Sequence, residues 1–358
     1  MKIKEVKYTQ YSLPFAKSFL TAKQEITNRE GIILQLKDDN NNISYGEAAP
    51  LPEFNKESIS QVIDQISLIT KKIKNITFDE YFSNTVNFID ELNLFPSLRF
   101  ALEQALLGLY FNIEKDLMIH QLKIKNNSLI PVNAVFGIGN AESVFKQISK
   151  DVESGFETIK LKLSKNNFSE EEKLIKMIRN DFGGSIKIRL DANSSWTYDQ
   201  AYANLECLAE FDIEYIEEPC INVEDSLKLI KNSPIPIALD ENVKSFDLLD
   251  LFVKEGKVKF LVLKPMTLGS VYNLLQFIHK ASQNNVVVII SSLFETVVGR
   301  SALVFLSSTI THEHAHGIGI AEYFEKDIYH DPYEIKNGLI KFDAESYPPT
   351  FNLENLFE

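Results

Sequence analysis

The chain has 358 residues, of which 44% are hydrophobic and 24% are charged, a composition typical of a globular protein with a sizeable core. Its net charge of −13 argues against nucleic acid as the main partner, because a nucleic-acid-binding surface needs basic residues. The N-terminus has no apolar signal core and the longest apolar runs are too short to cross a bilayer, so we expect no membrane association.

The first 124 residues predict a small α+β domain. Residues 1–15 and 30–50 alternate apolar and polar side chains as antiparallel strands do, with a turn at the run DDNNN. Residues 56–73 and 96–113 have the apolar spacing of helices. Strands followed by helices indicate an α+β arrangement.

From residue 125 to residue 325, short apolar runs recur at intervals of roughly 22–30 residues, the length of a strand, a helix and their loops. Segments between them, such as 140–155 and 169–183, are amphipathic. Eight runs alternating with helices predict an α/β fold with a TIM-type parallel barrel. An open doubly wound sheet is the alternative, although no GxGxxG or Walker loop supports it. Residues 326–358 predict a strand, turn and loop that return to the first domain.

Charged residues end five consecutive runs of the predicted barrel. Chemistry in a TIM barrel lies at the carboxyl ends of the strands, where these side chains would meet. Charge at one strand end would be unremarkable, but five in a row form a pattern. The second to seventh runs end, in order, with Lys160 and Lys162, Asp191, Glu217, Asp240, Lys264, and the pair Ser291 and Ser292.

Three of these residues, Asp191, Glu217 and Asp240, come from adjacent strands and can therefore converge. Convergent carboxylates repel each other unless a cation lies between them. Oxygen ligands with room for water suit Mg²⁺, with Mn²⁺ as a substitute. Taken singly, each of these acids is more often a helix cap after a strand.

Lys160 and Lys162 are two residues apart and should share one face of their strand. Burial and a neighbouring positive charge both lower the pKa of a lysine, so we predict that Lys162 is a base and that Lys160 helps to tune it. Lys264 would face this pair across the barrel mouth. An isolated KxK more often extends from an edge strand into solvent.

The motifs KLK, RLDAN, IEEP, LDE and LKP, in this order, resemble the muconate-lactonizing subgroup of the enolase superfamily. Within it, IRLDANSSWT, VLKPMTLGS, SSLFETVVG, YGEAAPLPEF and PSLRFALEQALLGL are similar to the o-succinylbenzoate synthase family. The resemblance implies a modified (β/α)7β barrel at 125–325, an N-terminal capping domain at 1–124, and a C-terminal segment at 326–358. It covers nearly the whole chain.

This resemblance also implies a reaction, the Mg²⁺-dependent syn dehydration of 2-succinyl-6-hydroxy-2,4-cyclohexadiene-1-carboxylate to o-succinylbenzoate in menaquinone biosynthesis. A lysine base with Mg²⁺ stabilising an enediolate is the known arrangement of the superfamily. Asp191, Glu217 and Asp240 would bind the metal, Lys162 would be the base, and Lys264 would stabilise the enediolate. Cap loops near 15–20 and 51–54 would close over the substrate. The predicted substrate-binding residues are Lys160, Asn193, Ser291, Ser292, Phe19 and Leu20, and the supporting residues behind them are Arg189, Glu218 and Glu241.

Other functions remain open from the sequence. An N-acylamino acid racemase, a dipeptide epimerase or a cycloisomerase would use the same enediolate. The last run, HGIGIAEYF, lacks the Asp-x-Asp of dipeptide epimerases, which weakens that alternative. A non-catalytic binding barrel is a further alternative. The expected partner is a small carboxylate, and the oligomeric state, including a homo-oligomer, is left open.

Cysteines and histidines suggest no second site. Two cysteines in this chain are no disulfide framework, which indicates a cytoplasmic protein. We expect Cys207 to pack in the core and Cys220 to lack a catalytic role. The run HEHAH, at 312–316, invites a zinc interpretation, but we predict a solvated or packed surface cluster.

Overall fold

The structure is a computed structural model. Among the helices it describes, none is long and apolar enough to span a membrane. The described residues form three β-sheets with helices around them. They are residues 1–20, 25–52, 54–78, 82–124, 128–137, 139–163, 168–243, 245–255, 258–319 and 323–357.

The N-terminal sheet is antiparallel, with its three strands in the order in which they occur in the chain. Its tight turn forms because the Asp38 carboxylate accepts hydrogen bonds from the backbone N–H groups of Asn40 and Asn42, at 2.9 and 2.8 Å. The long third helix is buried along most of its length, because it packs on this sheet and also contacts barrel helices. The elements are β1 (Ile3–Leu20), β2 (Glu25–Asp38), β3 (Ile43–Ala48), α1 (Ile59–Ile73), α2 (Phe82–Glu91) and α3 (Pro96–Gln121).

Seven parallel strands follow, hydrogen-bonded in the order in which they occur in the chain, with helices between them. The strands Ile237–Leu239 and Phe260–Leu263 are wholly apolar and buried, as expected for a parallel sheet covered on both faces. The elements are β4 (Ser128–Pro131), β5 (Ala134–Phe136), α4 (Ala141–Glu153), β6 (Thr158–Lys162), α5 (Phe168–Phe182), β7 (Lys187–Asp191), α6 (Tyr198–Leu208), β8 (Ile213–Glu217), α7 (Val223–Asn232), β9 (Ile237–Leu239), α8 (Phe246–Glu255), β10 (Phe260–Leu263), α9 (Pro265–Leu268), α10 (Val271–Gln283), β11 (Val287–Ile290) and α11 (Val297–Ser308).

Residues 316 and 317 close this curled sheet into a ring. His316 forms a parallel bridge with Val132, next to β5, and Gly317 forms one with Ser291, next to β11. The prediction of a TIM-type barrel behind an N-terminal α+β domain is therefore confirmed. The eighth run contributes these isolated bridges rather than a full strand within the part of the chain described.

The first predicted barrel run is divided between two sheets. Its start, β4, pairs with β13 (Leu339–Phe342), which also pairs with β12 (Ile335–Lys336), and only β5 joins the barrel. Pro131 lies at the division and has no backbone N–H to continue the ladder. Beyond β13, the Tyr347 ring stacks on Phe305 of α11 with ring centroids 4.7 Å apart, which holds the C-terminal segment on the molecule.

Two expectations about histidines and cysteines need correction. The HEHAH segment is not solvated as a whole, because His316 is 2% exposed and its Nδ1 accepts a hydrogen bond from the Ile290 N–H at 3.0 Å. The His314 imidazole bonds to Glu214 at 2.7 Å. Cys207 is exposed rather than in the core, because the buried face of α6 contains Ala201, Leu205 and Leu208.

Two buried glutamates join the N-terminal domain to barrel helices. Glu47, on β3, accepts hydrogen bonds from the N–H groups of Thr296 and Gly299, at 3.0 and 2.7 Å, at the start of α11. Glu103, on α3, accepts the N–H of Tyr272 at 3.0 Å, at the start of α10. A carboxylate at a helix N-terminus bonds free N–H groups and is favoured by the helix dipole.

Candidate active site

A cavity of about 100 Å³ opens at the carboxyl ends of the barrel strands. One side is charged, with carboxylates and lysines from neighbouring strands. The other side is apolar and includes Val262, Ile289 and Leu293. Phe54 reaches the cavity from the N-terminal domain, and Tyr323 reaches it from the end of the barrel part of the chain.

Lys160 lies between two of the predicted metal ligands. Parallel registration places Lys162 beside Asp191 and Asp191 beside Glu217. The Lys160 Nζ is 2.8 Å from Asp191 Oδ2 and 2.7 Å from Glu217 Oε1. Burial acts to lower the pKa of Lys160, but the charges of these two acids outweigh it and raise the pKa well above its usual value. Lys160 is therefore an ammonium that compensates both carboxylates.

Lys264 makes the corresponding contact with the third acid. Its Nζ forms an ion pair with Asp240 and lies 4.7 Å from the centre of the Phe54 ring. Burial opposes the charged form of Lys264, yet the charges of Asp240 and Glu241 raise its pKa. Burial, with the nearby charges of Glu241 and Glu217, raises the pKa of Asp240 even though Lys264 opposes this rise.

Lys162 has the opposite character. Strand alternation puts it in the cavity with Lys160, and burial is the largest cause that lowers its pKa. The positive charges of Lys160 and Lys264 lower the pKa further, while Asp191 opposes them. We predicted that Lys160 tunes Lys162; the structure adds that desolvation contributes more than this neighbour. Of the three cavity lysines, Lys162 is the one whose pKa is lowered toward the neutral amine.

The acid trio has the donor chemistry of a magnesium site. Asp191 and Glu217 meet at Lys160, and Asp240 is hydrogen-bonded to Glu217. As the side chains stand, no three His, Cys, Asp or Glu residues among those described are arranged to hold a metal ion. Carboxylates buried this deeply need a positive partner, and Lys160 and Lys264 provide it. A divalent cation fits this donor set by taking over that role.

Residues around the acids fix their orientation, and one of them, Asn193, also lines the cavity. Glu218 points away from the cavity, and it accepts hydrogen bonds from the N–H groups of Asp240 and Asn242, at 2.8 and 3.1 Å. It thereby holds the turn that carries Asp240. Asn193 donates its N–H to Asp191 Oδ1 and its side-chain amide to Glu241 Oε1, both at 3.1 Å. Burial raises the pKa of Glu218 to about 7.

The remaining predicted site residues lie in different places. Ser291 lines the cavity. Ser292 also lines it, but its hydroxyl donates to Glu295 and accepts the Phe294 N–H at 2.9 Å, so this hydroxyl shapes the loop. Phe19 and Leu20 end β1, and their side chains lie outside the described part of the chain.

Arg189 lies below the cavity rather than in its wall. It is fully buried, and its Nε donates to Glu214 Oε2 at 2.5 Å. Its guanidinium also lies 4.8 Å from the centre of the Tyr215 ring, a cation–π contact. Arg189 thus supports the cavity floor, where Tyr215 is a lining residue.

Several lining or supporting residues were not predicted, namely Asn133, Tyr215, Tyr323, Glu295 and Arg29. Tyr215 was detectable, because it precedes Glu217 by two positions and therefore shares its strand face. Arg29 depends on a contact with Phe294, in a distant segment, which no local pattern reveals.

Two family models match the chain. "Enolase C-terminal domain-like" matches residues 144–346, and "MenC, N-terminal domain" matches residues 3–109. The o-succinylbenzoate synthase of Aliivibrio fischeri is 28% identical, over 91% of this chain and 93% of that protein. The L-Ala-D/L-Glu epimerase of Francisella tularensis subsp. novicida is 23% identical, over 98% of this chain and 99% of that protein. The chain is also 27% identical to Protein PHYLLO of Arabidopsis thaliana, but 91% of it aligns with only 21% of that longer protein.

Solved structures show the same fold with different activities. The L-Ala-D/L-Glu epimerase of Bacillus subtilis superimposes with a TM-score of 0.85 at 19% identity, over 95% of this chain and 96% of that one. MenC from Desulfotalea psychrophila superimposes with a TM-score of 0.81 at 22% identity, over 96% of this chain and 100% of that one. A dipeptide epimerase from Enterococcus faecalis, complexed with Mg and a dipeptide, superimposes with a TM-score of 0.81 at 20% identity. The match covers 95% of this chain and 97% of that one. The chain belongs to the enolase superfamily.

Proposed function

We propose that this protein is an o-succinylbenzoate synthase, which dehydrates 2-succinyl-6-hydroxy-2,4-cyclohexadiene-1-carboxylate to o-succinylbenzoate for menaquinone biosynthesis. Two similarities support this proposal. The N-terminal domain matches the model of the MenC N-terminal domain, and several relatives similar over most of the chain are named as this synthase. Magnesium is proposed as the cofactor, as in the Mg-complexed dipeptide epimerase that shares the fold.

The observation that carries the proposal is the placement of three groups around one cavity. Lys162 enters from β6 and Lys264 from the end of β10, while Asp191 and Glu217 lie on the strands between them. Mg²⁺ held by Asp191, Glu217 and Asp240 would bind the substrate carboxylate and stabilise the charge that develops on deprotonation.

Each lysine then has a distinct role. The lowered pKa of Lys162 suits it to remove the proton beside the carboxylate. The same lysine, once protonated, would assist loss of the hydroxyl from the same face, and aromatisation of the ring drives this step. Lys264 remains protonated beside Asp240 and would stabilise the negatively charged intermediate.

The second candidate function is epimerisation of a dipeptide or an N-acylamino acid. Relatives with that activity share the fold over nearly the whole chain. One observation weighs against a dipeptide substrate. Among the described residues that line the cavity, the only acids are Asp191 and Glu217, which leaves no further carboxylate for a substrate ammonium group.

The test is Lys162→Ala, assayed by absorbance as the aromatic product forms. We expect a loss of at least ~10³-fold in kcat, because proton abstraction has no other neutral amine. Mn²⁺ affinity should stay within about twofold, since Lys162 is not a ligand. Lys228→Ala removes an exposed lysine outside the cavity and is the matched control. Wild-type protein that exchanges the α-proton of N-succinyl amino acids with solvent deuterium, but dehydrates nothing, would refute the synthase assignment.

A further inference from the structure

Arg29 is a buried arginine that contacts loops from both domains. It lies on β2 and is 1% exposed. Its Nε donates to the Phe294 carbonyl at 3.0 Å, which belongs to the loop after β11. Its other nitrogens donate to the carbonyls of Glu30, Pro50 and Ala49 in the N-terminal domain. One side chain therefore joins the N-terminal domain to the barrel through backbone atoms.

A buried guanidinium is costly unless its donors are satisfied and its charge is compensated. Glu295 is close enough for Arg29 to oppose the rise that burial produces in the pKa of its carboxyl. The four carbonyl contacts satisfy donors on all three guanidinium nitrogens. Such a residue restricts the two loops to one relative position, because any shift breaks several charge-assisted hydrogen bonds at once.

The first of these loops, which we call the cap loop, contains Ala49 to Leu51 and Phe54 to Asn55. Phe54 lines the cavity and packs its ring against Lys264. Asn55 fixes the loop, because its side-chain amide donates to the Met266 carbonyl at 3.2 Å and its Oδ1 accepts the Leu51 N–H at 3.1 Å. Arg29 contacts the loop at its other end, through Ala49 and Pro50.

The second loop, the wall loop, contains Ser291 to Phe294, all of which line the cavity. Glu295 accepts the Leu293 N–H at 2.8 Å, and the Ser292 N–H donates to the Gly317 carbonyl at 2.9 Å. Phe294 has a φ of 60°, a left-handed conformation that a phenylalanine rarely adopts without support. Arg29 binds the carbonyl of this residue and so supports the conformation.

We propose that Arg29 is a positioning residue that sets the shape of the substrate cavity, by tying the cap loop to the wall loop. It touches neither the acid trio nor the lysines and acts through Phe54 and Phe294. The proposal rests on the proposed function only in taking this cavity as the substrate site. Loss of Arg29 should therefore weaken substrate binding and leave metal binding intact.

The test compares Arg29→Gln and Arg29→Lys with Arg99→Gln. Arg99 also links the two domains, since it donates to Ser270 Oγ at 3.3 Å, and its described side-chain partners, Ser270, Glu103 and Asp90, lie in neither cavity loop. We expect Arg29→Gln to raise KM by about 10-fold or more and to change kcat by less than about threefold. Arg29→Lys keeps the charge with fewer donors and should give an intermediate KM. Arg99→Gln should leave KM within about twofold of the wild-type value, even if it lowers Tm as much as Arg29→Gln does.

An equal rise of KM in Arg29→Gln and Arg99→Gln would overturn the proposal, and so would an unchanged KM in Arg29→Gln. A parallel loss of Mn²⁺ affinity in Arg29→Gln would also overturn it, because that result indicates general damage. Should Arg29→Gln fail to fold, Arg29→Lys decides the question by the same comparison. Failure of the proposed function is distinct, since the wild type would then act only on N-succinyl amino acids, and the KM comparison is made on that reaction.

Discussion

Lys160 is the positive partner of two buried carboxylates, Asp191 and Glu217, in the absence of a metal. We expect Lys160→Met to destabilise the metal-free protein by on the order of 3 kcal/mol, because two buried negative charges lose their counterion. Saturating Mg²⁺ should remove most of this difference, since the ion supplies the missing charge. Thermal unfolding with and without Mg²⁺ measures both effects.

The control for this experiment is Lys173→Met, which removes an exposed ion pair with Glu142. Exposed pairs contribute little to stability because solvent screens them, so this variant should be nearly as stable as wild type in both conditions. A Lys160→Met protein whose deficit is the same with and without Mg²⁺ would argue against a cation site at these acids.

His312 makes the protein sensitive to acid. Burial is the main cause that lowers its pKa to about 4, with His314 and Arg189 adding to the effect, while the bond to the Val288 carbonyl opposes it. In the unfolded chain the pKa is about 6.5, so between pH 6.5 and 4 the unfolded state binds the proton more readily. Stability is therefore lost as the pH falls through this window, by about 2 kcal/mol at pH 5.

His312→Gln keeps a side-chain N–H donor for the Val288 carbonyl but does not titrate. Urea unfolding at pH 7 and pH 5 should show a smaller loss of stability for this variant than for wild type. The difference between the two proteins reports on His312 together with its effect on the pKa of His316. Identical losses of stability in the two proteins would mean that His312 binds its proton in the folded protein as readily as in the unfolded chain.

Helix α11 begins in close contact with the N-terminal domain, and Gly299 is the residue that permits this approach. A Cβ at this position would lie 2.8 Å from both Glu47 Oε2 and Glu295 Cβ. Alanine improves helix propensity by about 1 kcal/mol, but displacing a buried carboxylate from its N–H partners costs more. We predict that Gly299→Ala lowers the free energy of unfolding by about 1–3 kcal/mol.

Gly184→Ala is the matched control, because nothing lies within 4 Å of a Cβ placed there. Urea titrations should give free energies of unfolding for the two variants that differ by the predicted amount. If Gly299→Ala were as stable as Gly184→Ala, Glu47 would not be bound as tightly to α11 as its hydrogen bonds indicate.

The elements that local patterns predict are those whose environment is uniform along the segment. Runs such as FLVL are buried on both faces, and their period and spacing predicted the barrel. The strand-end acids and lysines were predictable because one edge of a parallel sheet collects every such residue. The division of the first run at Pro131 was not, because it depends on pairing with β13, about 200 residues later.

Charged residues that join the domains were missed for a related reason. Glu47 lies in the apolar context YGEAAP, and its partners Thr296 and Gly299 are about 250 residues away. Arg29 likewise reads as a polar residue of an alternating strand, whereas the structure buries it against Phe294. Sequence distance hides such pairs, since only the folded chain brings them together.

The whole molecule should unfold as one cooperative unit. Departure of the N-terminal domain alone would leave helix N-termini of α10 and α11 without Glu103 and Glu47, at a cost of about 1–3 kcal/mol for each buried polar group. Trp196, the single tryptophan, is buried in the barrel and reports on it by fluorescence. Hydrogen exchange of β1–β3 amides reports on the N-terminal domain.

The two probes should give the same unfolding midpoint in urea. The Arg99→Gln variant offers a comparison, because it removes the hydrogen bond to Ser270, one link between the domains. A midpoint for β1–β3 amides clearly below that of Trp196 in the wild type would show that the domains separate first.

The bridges made by His316 and Gly317 have a consequence for solubility. They cover strands β5 and β11, which would otherwise present open edges to another copy of the chain. The covering segment also contains His312 and His316, which acid charges unfavourably because burial lowers the pKa of both imidazoles. Mild acid should therefore release this segment and promote edge-to-edge aggregation while most helices are still folded.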